Sequence, residues 1–297
     1  MTVEPDEAIG LASEGWCAFV SARGAELRAL IAPDGRSFLW NGDPAWWDGR
    51  APLLFPVIGR SVNDAVNVGG TAYAMPLHGF ARTMLFERAA VSPSAATFLL
   101  RDSEETRRSF PFAFELDVTY RIAPGALALE AAMRNRGCVP MPASLGFHPG
   151  FPWPLPGGEG LPHRIRMIDA ALAPVRMGVD ANGLLTGAEQ PSPFRCGRLQ
   201  LEPQLFAERA LVFPGGVGSR LVYETSDGSS FVEMIVDGFP HLAIWSRPDA
   251  PFVCIEPWLG LPAFAGDDGA LEGRRSGAII PPSDSVRCAC TIRFGRR

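Results

Sequence analysis

No apolar pattern at helical spacing lasts beyond a turn or two anywhere in the 297-residue chain. A short apolar run closed by glycine or proline recurs instead. The chain carries 32 glycines and 28 prolines, spread throughout, which leaves little room for helices of ordinary length. Strand-like runs are Cys17–Ser21, Leu27–Ile31, Ser37–Trp40, Leu85–Val91, Ala96–Arg101, Phe112–Ile122 and Leu127–Arg134. In the second half they are Leu211–Phe213, Leu221–Glu224, Phe231–Val236, Leu242–Ser246, Phe252–Glu256 and Val286–Phe294. Phe114, Leu116, Val118 and Tyr120 alternate cleanly, as in a sheet with one buried face.

Turn chemistry joins these runs. Asn67-Val68-Gly69-Gly70-Thr71-Ala72-Tyr73 predicts a hairpin with a Gly-Gly tip. Ser103–Ser109 predicts a single helical turn, and 150–162 a long glycine- and proline-rich loop. Pro56 breaks the apolar run Leu53–Ile58. Many short strands with tight connections predict an all-β, large antiparallel sandwich. No polar linker divides the chain and no fixed-period repeat runs through it, so residues 1–297 read as a single domain.

The composition, 47% apolar and 20% charged, suits a globular core. A net charge of -5 argues against a nucleic-acid surface. The chain has no lysine, which excludes Schiff-base catalysis and a P-loop lysine. The acidic start, Met1–Glu7, is unlike a secretory signal, and no apolar run reaches the ~20 residues of a membrane span. Six sparse cysteines, among them Cys254 and the close pair Cys288 and Cys290, read as reduced thiols of a cytoplasmic protein.

Only four histidines occur, so each can be weighed. His163 stands in a polar stretch and reads as solvated; His241, at the start of an apolar run, reads as structural. His78 and His148 differ: both are hemmed by apolar residues and by glycine and proline, on connections where functional groups gather. Glu256 closes the apolar run Phe252–Ile255, and a carboxyl there is desolvated enough to rise toward neutral pKa and act as a general base. Arg60 and Arg82 sit on loop edges, where a guanidinium fork can bind hydroxyls, a carboxylate or a phosphate. Each of these groups also has an ordinary structural role open to it. A Gly-x-Ser-x-Gly elbow, a His-Glu-x-x-His motif and a dinucleotide fingerprint are all missing, and the histidines are too scattered to specify a metal.

Four segments in order carry a family likeness: Leu54–Arg60, Leu77–Arg82, Gly146–Phe151, and Phe239–Trp245 leading to Cys254–Trp258. Together they resemble the aldose 1-epimerase (galactose mutarotase-like) family, in its hexose-phosphate or unassigned epimerase-related branch. The resemblance implies a β-sandwich and mutarotation of an aldohexose or hexose phosphate. It implies Glu256 as base, His148 as acid, and His78 and Arg60 as holders of hydroxyls near the reacting carbon. Arg82 is then a phosphate or hydroxyl contact, and Phe147 and Trp258 belong to the sugar-binding surface. No metal or organic cofactor is implied. The implied partner is a small sugar or sugar phosphate, with no membrane or nucleic acid, bound by a monomer or homodimer. The aspartate that the family carries before a later apolar strand is replaced here by Glu208 or Arg209. The alternatives are a carbohydrate-binding protein without turnover and a lyase-like enzyme; the trio His78, His148 and Glu256 favours the epimerase.

Overall fold

The computed structural model describes residues 8–169 and 173–297; the acidic segment 1–7 lies outside them. Two large antiparallel sheets face each other across one core. The nine-stranded sheet runs in the order Arg198–Gln200, His163–Met167, Arg220–Thr225, Ser230–Asp237, Ser285–Arg296, Ala126–Asn135, Phe114–Ala123, Ala95–Arg101 and Glu87–Val91. The second, eight-stranded sheet follows Leu185–Gln190, Arg176–Val179, Leu211–Phe213, His241–Trp245, Phe252–Leu259, Leu145–Phe147 and Leu53–Leu54, with Gly150–Pro152 paired beside Phe252–Leu259. A three-stranded sheet, Ala8–Ser13, Trp16–Ser21 and Leu27–Ile31, is separate.

Period-two patterning builds the core. Phe114, Leu116, Val118 and Tyr120 are all buried, and they meet Leu242, Ile244, Val253 and Ile255 from the opposite sheet in one hydrophobic cluster. The alternate residues of those last two strands, Ala243, Cys254, Glu256 and Trp258, therefore point to the other face of the eight-stranded sheet. The buried Tyr120 hydroxyl donates to the Ala25 carbonyl at 2.8 Å.

Most of the expected strands form, within a residue or two of the sequence reading. The Gly69-Gly70 hairpin joins Ala65–Val68 to Thr71–Ala74, and the helical turn is Glu104–Arg107, capped by Ser103. Three differences have physical reasons. Ser37–Trp40 is not a strand: Ser37 makes one bridge to Ile31, and Trp40 N–H donates to the Gly150 carbonyl at 2.9 Å, so the run is buried as a packed connection. The segment 150–162 begins with a strand, Gly150–Pro152, because its backbone pairs with Cys254, Val253 and Phe252. His163 is buried, not solvated: Leu155 N–H donates to its Nε2 at 3.0 Å and its Nδ1 lies 2.9 Å from the Leu161 carbonyl. No helix among the described residues is long and apolar enough to cross a membrane.

Candidate active site

The site begins with a break in pairing. Along one edge the strand Phe252–Leu259 pairs with His241–Trp245 without a break from Cys254 to Trp258. Along the other it pairs with Gly150–Pro152 near one end and with Leu145–Phe147 near the other. His148 and Pro149 occupy the gap between, facing Ile255–Pro257. Ile255 N–H donates across the gap to the Pro149 carbonyl at 3.2 Å. The nitrogen of Pro257, two residues on, faces the same edge, where no donor is needed. A proline is tolerated inside this strand for that reason.

Alternation then decides which side chains reach the open face. Phe147 is fully buried in the core between the sheets, and its neighbour His148 projects the other way. Assigning Phe147 to the sugar-binding surface is therefore corrected: it lies one residue out of phase with the cavity. Gly146 shares the open face, but a Cβ there would lie 2.7 Å from Ile58 Cδ1 and 2.9 Å from Trp258 Cδ1.

His148, Glu256, His78, Arg60, Arg82 and Trp258 all line one cavity of about 920 Å³, a size ordinary for a small-molecule site. Glu256 is only 2% exposed, and its Oε2 lies 3.2 Å from His148 Nε2. The contact is not aligned as a hydrogen bond; Glu256 Oε2, His148 Nδ1 and Trp258 Nε1 have no partner. Burial raises the Glu256 carboxyl well above the usual carboxylate range, and the Trp258 indole N–H, near the carboxyl but not aligned with it as a full hydrogen bond, offsets part of that. Burial likewise lowers the His148 imidazole to about 3, a backbone contact opposing and the Arg82 charge assisting. Burial thus favours a carboxylic acid beside a neutral imidazole in the resting pair.

His78 is held from both sides of its backbone. Its φ is +65°, and Gly79 beside it has φ +74°. His78 N–H donates to the Gly59 carbonyl at 2.9 Å, and Gly59 N–H donates to His78 Nδ1 at 3.1 Å. An accepting Nδ1 places the neutral ring's proton on Nε2. Burial lowers the His78 pKa well below its ordinary value, aided by His148, Arg82 and Arg274.

The two arginines differ in state. Arg60 is in an ion pair with Asp64 at 2.7 Å, so part of its charge is already met. Arg82 sits on the turn Ala81–Thr83, and among the described residues its guanidinium has no hydrogen-bond or ion-pair partner. Glu208 and Arg209, the two residues read from the sequence as replacing the family's aspartate, both reach the cavity, where Arg209 donates to the Ala181 carbonyl.

Sequence reasoning left Trp47 and Trp245 unassigned, and both line the cavity. The Trp47 ring lies over His148, with centroids 5.0 Å apart and planes 33° from parallel, and Trp245 meets His148 edge-on at 5.8 Å. The period-two step from Glu256 across to Ala243 and Trp245 was the available signal for Trp245. For Trp47 the signal was an aromatic ring in a polar loop, which suits stacking on a sugar but serves equally as core filler. His148, Cys254 and Glu256 are also the one group among the described residues able to hold a metal ion: a ligand atom from each lies within 4.8 Å of the others.

A model of the aldose 1-epimerase family matches residues 7–187. The chain belongs to the aldose 1-epimerase family. LacX, the chromosomal protein of Lactococcus lactis, is 26% identical to this family member over 274 residues, covering 89% of this chain and 91% of LacX. Among solved structures, a galactose mutarotase-like protein from Lactobacillus casei superposes with TM-score 0.92 at 28% identity, covering 97% of this chain and 100% of the other. A galactose mutarotase related enzyme from Lactobacillus acidophilus gives 0.90 at 27%, covering 97% of each chain. The fold is thus that of galactose mutarotase-like proteins, and the family supports a general sugar epimerase or mutarotase role.

Proposed function

We propose that the protein is an aldose 1-epimerase that interconverts the anomers of an aldohexose or hexose phosphate, using Glu256 and His148 as its acid–base pair. The observation that carries this is their contact at 3.2 Å at the buried end of a sugar-sized cavity. The anomeric hydroxyl and the ring oxygen of a pyranose share one carbon. Two groups that serve both atoms must therefore stand side by side, as these do.

Glu256 takes the proton from the anomeric hydroxyl while His148 gives one to the ring oxygen. The bond from the anomeric carbon to the ring oxygen breaks, and the former hydroxyl becomes the aldehyde oxygen. After rotation about the bond between the first two carbons, His148 takes its proton back and Glu256 returns the other to the new anomeric hydroxyl. The working pair, carboxylate and imidazolium, has the same net charge as the resting pair and is reached by moving one proton between them. Hydroxyls of the bound sugar offset the desolvation that disfavours these ions in the empty site.

His78, with its proton on Nε2, donates to a sugar hydroxyl, and Arg60 holds another. Trp258 Nε1 is a further buried donor without an aligned protein partner. Trp47 and Trp245 offer faces and edges for the apolar side of the ring. A protein that only binds sugar has no need of a buried carboxyl and imidazole at this cost.

The test is polarimetry on freshly dissolved α-glucose and α-galactose, with anomer-exchange NMR for hexose phosphates. The protein is expected to speed equilibration of at least one of them. No acceleration with any of the four α-anomers, free or 6-phosphorylated, contradicts the reading. The partnerless Arg82 favours a phosphorylated substrate. Arg82→Ala is expected to weaken binding of a hexose phosphate by about tenfold or more, and of the free hexose by less than about threefold, because a guanidinium–phosphate contact is charge-assisted. Equal losses for both ligands in a calorimetric titration count against a phosphate role.

A further inference from the structure

His78 owes its placement to Gly59, whose N–H and C=O both bond to it. Gly59 lies on an irregular segment, with φ +65° and a position where a Cβ would come within 2.7 Å of Pro262. Something must hold that segment still, and Arg274 does so from outside the cavity. Its Nη1 donates to Ser61 Oγ at 2.8 Å and its Nη2 to the Ile58 carbonyl at 2.6 Å. A longer contact at 3.4 Å runs from Nη2 to the Leu261 carbonyl. One guanidinium thus grips both ends of Ile58–Ser61 and touches the Leu261 stretch that packs on it.

Arg274 holds this position without the usual compensation. Among the described residues no carboxylate lies within ion-pair distance of it, and its Nε is shut from solvent without a partner. Burial lowers its pKa to about 10, against a modest opposing effect of Asp267. A cation kept so is costly unless its hydrogen bonds are needed. The planar fork suits three oxygen acceptors in fixed directions; a lysine ammonium, with a rotatable point charge, does not reproduce it.

We propose that Arg274 is a positioning residue of the sugar site, clamping Ile58 and Ser61 so that Gly59 N–H selects the Nε2–H tautomer of His78. It does not line the cavity. Its charge also acts on His78 directly, but its hold on the imidazole's orientation passes through the Gly59 backbone.

The test compares wild type, Arg274→Met, Arg274→Lys and Ser61→Ala by NMR of 15N-histidine-labelled protein, alongside turnover. The wild type is expected to show His78 as the Nε2–H tautomer. In Arg274→Met the His78 signals become those of a tautomer mixture, and kcat falls about ten- to a hundredfold while KM changes by less than about threefold. Arg274→Lys, which keeps the charge and loses the fork, is expected to restore neither. Ser61→Ala, which removes one anchor, shifts His78 part of the way. A folded Arg274→Met or Arg274→Lys protein whose His78 tautomer is unchanged overturns the proposal, whatever its stability. If Arg274→Met does not fold, the lysine and Ser61→Ala variants decide on the same readout. The kcat measurement rests on the mutarotase reading. The tautomer does not, so loss of that reading leaves the positioning claim to stand or fall by NMR.

Discussion

Glu256→Gln is expected to reduce anomer interconversion by about 10²–10⁴-fold while leaving sugar affinity within about tenfold. The amide keeps the shape and volume of the carboxyl and can still hydrogen-bond to a hydroxyl, but it cannot take a proton. Polarimetry with fresh α-anomer gives the rate and calorimetry the affinity; unchanged rates sink the assignment of Glu256 as base. The same variant has an effect on stability whose sign can be worked out. Burial raises the folded-state pKa of Glu256 above its unfolded value. The fold therefore favours the protonated carboxyl, an advantage fully present below the unfolded pKa of ~4.3 and lost as pH rises through the folded pKa. Glutamine is neutral at every pH and has no such loss. Glu256→Gln should thus melt at a higher temperature than wild type at pH 8, with a smaller difference at pH 5. His148, lowered to about 3, is neutral over that whole window and contributes equally to both proteins. A variant less stable than wild type at pH 8 means that the folded protein holds an ionised, well-partnered carboxylate at Glu256. A gain in stability with a loss of turnover is the usual mark of a group kept for chemistry.

Glu256 and His148 were legible because each ends or interrupts a strongly apolar stretch, so burial could be inferred, and burial is what perturbs them. Local sequence could not show that His148 and Pro149 fill a break between two strands that pair with the same partner, opposite Glu256 and Ile255. That fact belongs to register. The misplacement of Phe147 has the same origin. It sits in the right motif, yet a one-residue step in a strand reverses the face. The strand read from the sequence as Phe252–Glu256 runs on to Leu259, because the Pro257 nitrogen faces the gap where no donor is needed. Strands such as His163–Met167 and Leu185–Gln190 escaped notice because charged or small residues fill their outer positions. Arg274 was invisible for a different reason: its partners are two main-chain carbonyls and a serine, which leave no compositional trace.

Replacing Gly79 with alanine should cost both the fold and the site more than its single added methyl group suggests. A Cβ at Gly79 would stand 2.2 Å from the Phe55 carbonyl oxygen and 2.7 Å from Pro56 N, both backbone atoms that cannot swing aside. The same Phe55 carbonyl accepts Phe80 N–H at 3.0 Å and Ala81 N–H at 3.2 Å, so the two segments cannot part without losing both bonds. At φ +74° the residue also occupies the region that L-residues avoid. Strain and collision together predict a loss of about 2–4 kcal/mol. Turnover should fall by about 10²-fold even in the molecules that fold, because His78 is the next residue and must move with Gly79. Gly70→Ala separates the two causes. Gly70 has φ +84° at an open hairpin tip with nothing within 4 Å of a built Cβ, so it carries the strain without the collision. It should cost about 1 kcal/mol and leave turnover unchanged. Urea unfolding and polarimetry on the two variants give the comparison. If Gly79→Ala loses no more than Gly70→Ala in both measurements, the close approach of Gly79 to Phe55 is not what fixes His78 in the cavity.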